Sequence, residues 1–271
     1  MRPSVLVVED DTATRTLLTL LMSRAGFDVD AIGSGSDAVT LLSSVRYSAV
    51  LFDLQLPGTS GHEILAYLEV NDSDMIAHAV VVSSGQQQEL ERVRARYRQI
   101  PVLRKPFDLR ELTDAVVRAA SDREHGPRTI ASEFCRLSIV NGAKAGVVFV
   151  ADRDAAKLNL IRSFGYSPDV IERFVPIAAD APYPACTAFR CGCQVWLNSP
   201  MVATSEYPAL STVWRENHSY AMAALPLMRE GKVIGAAGWS FREPRPFSEQ
   251  ERQRFEAIAS ILSTEFAHAA A

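Results

Sequence analysis

The sequence predicts two domains. Residues 1–122 read as an α/β domain on a doubly wound, five-stranded parallel sheet, and residues 128–271 as an α+β domain whose antiparallel sheet is flanked by helices. Three observations carry this. Between Ser4 and Asp122 four short apolar runs and one alternating segment are interleaved with helical patterns, which predicts a parallel sheet covered on both faces. A polar stretch ending in Gly126-Pro127 follows, so residues 123–127 read as a linker and not as a continued helix. Beyond it the order changes to helix, strands, an irregular middle, a hairpin and a last helix. A chain of 271 residues is also more readily two cores than one.

In chain order, Val5-Leu6-Val7-Val8 is the first run and ends in Glu9-Asp10-Asp11. Leu17, Leu18, Leu20 and Leu21 then cover one broad helical face, with Gly26 as the C-cap. Asp28 to Ile32 alternates like a less buried strand, and Ser36 is the expected N-cap of a helix through Val45. Val50-Leu51-Phe52 is a buried run that ends in a single carboxylate, Asp53, ahead of the turn signal Pro57-Gly58. A helix from Gly61 to Asn71 follows. Ala79 to Val82 is the next run and ends in Ser83-Ser84-Gly85. The helix expected from Gln87 to Arg98 holds Arg92, Arg94, Arg96 and Arg98, read as a solvated face with cations near its C-terminus. Pro101 to Arg104 ends in Lys105-Pro106. The helix from Asp108 to Ala120 is expected to turn Leu109, Leu112, Val116 and Val117 inward.

In a parallel sheet these strand ends share one edge, and that edge is where open α/β sheets bind ligands. Here it carries an acidic pair, a lone Asp, a hydroxyl and an ammonium. Clustered carboxylates repel unless a hard cation joins them, and oxygen donors suit Mg²⁺. A metal, a lysine and a hydroxyl around one carboxylate make a phosphoryl-transfer site. On Glu9-Asp10, Asp53, Leu56-Pro57-Gly58 with Gly61, Ser83 and Lys105-Pro106, the stretch from Ser4 to Asp122 resembles a two-component receiver domain of the CheY-like superfamily. The resemblance implies that Asp53 is the phosphoacceptor. It implies that Glu9, Asp10, the Asp53 carboxylate and the backbone carbonyl of Gln55 hold Mg²⁺. Lys105 would pair with the phosphoryl oxygens, Ser83 would hydrogen-bond to one of them, and the peptide before Pro106 would be cis. The partner implied is a sensor histidine kinase or a phosphotransfer protein. One position departs from the family: an aromatic switch residue usually stands three before the lysine, and here it is Val102.

In the second half a helix is expected from Thr129 to Ala143, with Ile130, Phe134 and Leu137 on one side, then strands over Gly146–Ala151 and Lys157–Phe164. A short helix and an irregular stretch rich in Pro and Ala lead to Cys186–Cys193. Val195-Trp196-Leu197 is a short strand, and Ala221–Met228 and Val233–Phe241 flank a turn at 229–232. The capping box from Ser248 to Glu251 opens a last helix to Ala270, striped with Phe255, Ile258, Ala259, Leu262 and Phe266. On Ala188-Phe189-Arg190, Val195-Trp196-Leu197, Ala224-Leu225-Pro226-Leu227, Val233-Ile234-Gly235-Ala236 and Pro246-Phe247-Ser248, residues 128–271 resemble a GAF domain. The resemblance implies a sensory or dimerisation module that pairs through its flanking helices, and Ile261 and Ala257 extend the apolar surface of the last helix beyond one stripe. It leaves room for an unidentified small-molecule ligand. Trp196, Trp214, Trp239, Tyr166 and Tyr220 read as core before pocket wall. Cys186, Cys191 and Cys193 lack a fourth zinc ligand at familiar spacing and read as small hydrophobes, with redox chemistry as the alternative.

Charge excludes other classes. The net charge is −4; residues 1–122 hold 12 Lys+Arg against 17 Asp+Glu, and the rest 16 against 15. Neither half is a basic nucleic-acid module. Four cysteines make no disulfide framework, no signal peptide precedes Glu9, and no apolar run approaches the roughly 18 residues of a membrane span. A cytoplasmic protein is expected. No helix-turn-helix, kinase, cyclase or phosphodiesterase motif follows the first domain. The reading is therefore a response regulator, not a turnover enzyme, homodimeric through its second half and acting by protein–protein contact. The alternative is a thiol-based redox enzyme or sensor carried by the cysteines of that half.

Overall fold

The computed structural model describes residues 2–121, 130–173 and 175–265, leaving out the side chains of 130, 131, 212 and 213. The chain divides into two units, Met1–Arg128 and Thr129–Ala271.

The first unit runs β1 (Ser4–Val8), α1 (Thr12–Arg24), β2 (Asp28–Ile32), α2 (Gly35–Ser44), β3 (Ala49–Asp53), α3 (Gly61–Asn71), α4 (Ser73–Ile76), β4 (Ala79–Ser83), α5 (Gln87–Arg96), β5 (Val102–Arg104) and α6 (Leu109–Ala120). The sheet is parallel in the order β2-β1-β3-β4-β5. β1, β3 and β4 are buried along their whole length, as central strands covered on both faces must be. The register sets Val8 beside Phe52, Asp53 beside Val82 and Ser83 beside Arg104. The carboxyl ends of four strands therefore converge on one edge.

Several helix expectations need correction. α1 turns Leu18 and Met22 into the core, while Leu17 and Leu20 are exposed. An i, i+4 stripe suffices where a helix lies on a sheet, so the leucines on either side of it stay in solvent. α2 is capped by Ser34, whose hydroxyl accepts from the Asp37 N–H; Ser36 lies inside the first turn. Gly35 opens that helix because a Cβ there would sit 1.9 Å from the Thr59 carbonyl oxygen. α5 stops at Arg96, where Tyr97 leaves helical backbone at φ −117° and ψ 72°. Arg94 donates to the Val102 carbonyl (2.6 Å) and Arg96 to Glu69 (2.6 Å), so two of the four arginines serve the fold. α6 buries Leu112, Ala115, Val116 and Ala119, and leaves Leu109 and Val117 exposed. Its inward stripe relies on two alanines that an apolar-residue count undervalues.

The second unit runs α7 (Ile130–Val140), β6 (Ala145–Ala151), β7 (Lys157–Phe164), α8 (Pro168–Glu172), β8 (Ile177–Ala178), α9 (Pro184–Cys191), β9 (Val195–Leu197), α10 (Pro200–Glu206), a 3₁₀ turn (Pro208–Leu210), α11 (Ser211–Glu216), β10 (Ala221–Arg229), β11 (Lys232–Phe241) and α12 (Glu249–Glu265). Its sheet is antiparallel in the order β8-β7-β6-β11-β10-β9. The hairpin turn is tighter than expected, with only Glu230 and Gly231 between the strands, at φ 49° and 78°. Two positive φ values are what a type I′ hairpin turn requires.

α7 and α12 cover the sheet around Trp239, whose ring meets Phe134 at 6.2 Å and Phe255 at 5.0 Å. Its indole N–H donates to Ser138 Oγ (2.8 Å), so the large ring is buried with its polar atom satisfied. α9 packs against β10 and β11. The Pro- and Ala-rich stretch expected to be irregular leads into this helix: Pro184 stands in its first turn, and Ala185, Cys186, Ala188 and Phe189 are buried. The Gly126-Pro127 joint, Thr129 and Phe266 lie outside the described residues.

Candidate functional site

Glu9 follows β1 and is 1% exposed, Asp53 ends β3 at 3%, and Ser83 ends β4 at 0%. Asp10 is exposed. Lys105 lies just past β5 and reaches back between the acids: its Nζ stands 2.6 Å from Glu9 Oε2 and 2.6 Å from Asp53 Oδ2. Burial alone would lower the Lys105 pKa, but its hydrogen bonds to Asp53 and Glu9 outweigh it and hold the ammonium above its ordinary value. The other Asp53 oxygen, Oδ1, accepts from the Gln55 N–H at 2.9 Å. Ser83 Oγ accepts from the Gly85 N–H (3.0 Å), which fixes the hydroxyl at the head of the β4–α5 connection. The Lys105–Pro106 peptide is cis. Val102 is buried in β5.

Carboxylate oxygens of Glu9, Asp10 and Asp53 all lie within 4.8 Å of one another. Three hard oxygen donors thus face a single ammonium, and two of the acids are almost fully buried. That donor set fits a hard divalent cation and no soft one.

Two further residues shape this edge. Arg15, on the first turns of α1, donates from one guanidinium nitrogen to the carbonyls of Glu9 (2.6 Å) and Asp10 (3.0 Å), and so pins the backbone that carries the acidic pair. Its spacing, one helical turn past Asp11, was the available signal. Gly61 lies so close to β3 that a Cβ would stand 2.5 Å from the Asp53 carbonyl oxygen and 2.6 Å from Leu54 Cα. Asp11 caps α1, and the Thr14 backbone and hydroxyl hydrogen bonds hold its carboxyl below the usual value.

In the second unit the sheet and α9 enclose an apolar cavity of about 50 Å³, with Phe149, Tyr166, Tyr183, Leu210, Met222 and Trp239 in its wall. Of the five aromatics singled out in the sequence, Tyr166 and Trp239 line it. Trp214 is buried nearby with its indole N–H unpartnered, Trp196 meets Phe247 in a tilted pair, and Tyr220 is exposed. The Tyr166 hydroxyl meets Ser240 Oγ at 2.5 Å, and burial pushes its pKa up to about 12. Cys186 is buried, donates to the Ala178 carbonyl and has its thiol pushed up to about 11 by burial, which suits a small hydrophobe and not a nucleophile. Cys191 and Cys193 are exposed.

Comparison with known proteins agrees with both halves. The response regulator receiver domain model matches residues 5–117, and the GAF domain model matches residues 124–265, more than half of the chain. The DNA-binding response regulator MtrA of Mycolicibacterium smegmatis is 39% identical over 71 residues, which is 26% of this chain and 31% of that protein. The DNA-binding transcriptional regulator NtrC of Bradyrhizobium sp. is 32% identical over 120 residues, 44% of this chain and 24% of that one. The match thus spans under a third of these relatives. Among solved structures, a sensor protein from Polaromonas sp. is 29% identical with a TM-score of 0.40, covering 45% of this chain and 98% of that one. The GAF domain of an Acinetobacter phosphoenolpyruvate-protein phosphotransferase is 17% identical with a TM-score of 0.42, covering 52% and 80%. The chain belongs to the GAF family, with a response regulator receiver domain ahead of its GAF domain.

Proposed function

We propose that this chain is a phosphorelay response regulator in which Asp53 accepts a phosphoryl group and the GAF half passes the signal on by protein–protein contact. The observation that carries the reading is the contact of Lys105 Nζ with both Glu9 and Asp53, at 2.6 Å each, on a sheet edge that also holds Ser83. One Asp53 oxygen attacks the phosphorus of a phosphohistidine on a sensor kinase or phosphotransfer protein, the P–N bond breaks, and the histidine leaves. Lys105, drawn from its carboxylate partners, pairs with the phosphoryl oxygens. The Ser83 hydroxyl donates to one of them. Glu9, Asp10, Asp53 and the Gln55 carbonyl would hold Mg²⁺, and a bound Mg²⁺ would supply positive charge to offset that of the phosphoryl group. The working units are residues 1–122 and 128–271, joined by 123–127. No nucleic-acid output or turnover activity is assigned, and the protein is read as cytoplasmic; no described helix is long and apolar enough to cross a membrane.

Acetyl phosphate with Mg²⁺ is expected to label the parent at Asp53, and Asp53→Asn is expected to stay unlabelled. Equal, stable labelling of that variant would falsify the assignment.

The GAF half is read as the dimerisation module. α12 buries Phe255, Ile258, Ala259 and Leu262 on its own sheet, yet Ile261 remains 44% exposed and Ala257 is exposed beside it. Val140 on α7 and Met228 on β10 are exposed as well. Sedimentation of the full chain at tens of micromolar, roughly where weak homodimers still form, is expected to give a dimer. A monomer under those conditions, with Ile261→Glu sedimenting identically, removes this part of the reading.

A further inference from the structure

The four cysteines separate by position. Cys135 and Cys186 are buried, whereas Cys191 and Cys193 are exposed. Only Gly192 stands between the exposed two. Cys191 is the last residue of α9, and Gly192 is its C-cap at φ 60° and ψ 24°. Left-handed backbone at a helix end turns the chain back on itself, and glycine adopts it without a Cβ penalty. This turn keeps residues 191 and 193 together. The Cys193 thiol is pushed above its ordinary value, first by burial and next by the neighbouring Cys191. That direction is opposite to the lowered values of single catalytic thiolates.

We propose that Cys191 and Cys193 form a reversible dithiol–disulfide switch that exchanges with low-molecular-weight disulfides such as oxidised glutathione. In the first step one cysteine, as its thiolate, attacks a sulfur of oxidised glutathione. The glutathione S–S bond breaks, one glutathione thiolate leaves, and a mixed disulfide remains. The second cysteine then loses its proton and attacks the protein sulfur of that mixed disulfide, expelling the second glutathione thiolate. The two protons lost by the protein are taken up by the two leaving thiolates. The protein is oxidised by two electrons and glutathione disulfide is reduced to two thiols. A bridge closed over one residue restrains little chain, so little unfolded-state entropy opposes its reduction.

The position gives such a switch a target. α9 begins beside Tyr183, Pro184 and Ala185, all in the cavity wall, and it ends at the dithiol. The residue after the pair, Gln194, donates to Glu256 on α12 (2.7 Å) and accepts from the Trp196 indole (3.0 Å). Closing the bridge therefore redraws a cap that is tied to the cavity helix on one side and to α12 on the other. None of this depends on phosphoryl chemistry, so Asp53→Asn is expected to behave as the parent here.

The test equilibrates the full chain in glutathione buffers from reduced to oxidised. Samples are acid-quenched, alkylated with N-ethylmaleimide and read by mass spectrometry. The expected result is one two-electron transition that removes two hydrogens and two alkylation sites. Both changes should lie in the peptide that begins at Cys191 after cleavage at Arg190, and dithiothreitol should reverse them. Cys191→Ser and Cys193→Ser are each expected to carry one bound glutathione in place of the bridge. Retention of both alkylation sites in oxidised buffer overturns the proposal. So does a stable glutathione on each cysteine of the parent, or a disulfide that links two chains.

Discussion

Lys105 is the side chain whose removal the receiver site should feel most. It is the cation that touches both Glu9 and Asp53, which are 1% and 3% exposed. In Lys105→Ala these carboxylates stay buried and lose their shared partner. Breaking a buried ion pair from one side costs about 3–5 kcal/mol, and the 20% exposure of the lysine side chain argues for the lower end, about 3 kcal/mol. A unit of this length melts with an entropy of about 0.25 kcal/mol/K, so the receiver transition should fall by about 12 °C in chelator. At neutral pH the whole effect is visible. The Lys105 pKa is raised in the fold, so its contribution is fully present below its ordinary value of 10.5 and is lost only as pH climbs through the higher folded value. Mg²⁺ should then restore the variant. At about 100-fold over its dissociation constant it adds about 2.7 kcal/mol, and it should shift the variant more than the parent, where the ammonium already serves two of the three acids. The assay is a thermal melt of parent and variant across a Mg²⁺ series. Identical melting in chelator, or a smaller Mg²⁺ shift in the variant, refutes the reasoning.

Two other changes test distinct features. Gly61→Ala should destabilise the receiver unit and lower acetyl-phosphate labelling, because the new methyl would press on the Asp53 carbonyl and Leu54 Cα; a variant that melts and labels like the parent shows that the backbone gives way freely. Tyr166→Phe should flatten the alkaline loss of stability of the GAF unit. The folded phenol keeps its proton to about 12 while the unfolded one releases it near 10, so parent stability falls between those values; urea melts from neutral pH upward would show whether the variant loses that slope.

What the sequence determined by itself is local and periodic. Buried parallel strands announce themselves as apolar runs, and each run here ends in the chemistry it presents: Glu9-Asp10, Asp53, Ser83 and Lys105. Because parallel strands point the same way, residues far apart in sequence reach one edge without any knowledge of packing. The hairpin, the capping box at Ser248 and the strand at Val195 were legible for the same reason, being set by turn chemistry and alternation. The tertiary structure decided what periodicity does not encode. It chose Leu18 and Met22 over Leu17 and Leu20, since only the width of the contact says how much of an apolar face is covered. It moved a cap from Ser36 to Ser34, because Gly35 must pass against the Thr59 carbonyl. It set Arg15 on the carbonyls of the acidic pair and started a helix at Pro184 that ends at the Gly192 cap, leaving Cys186 buried and Cys191 and Cys193 exposed. Each of these depends on which surfaces come into contact, and contact is a property of the folded chain and not of any window along it.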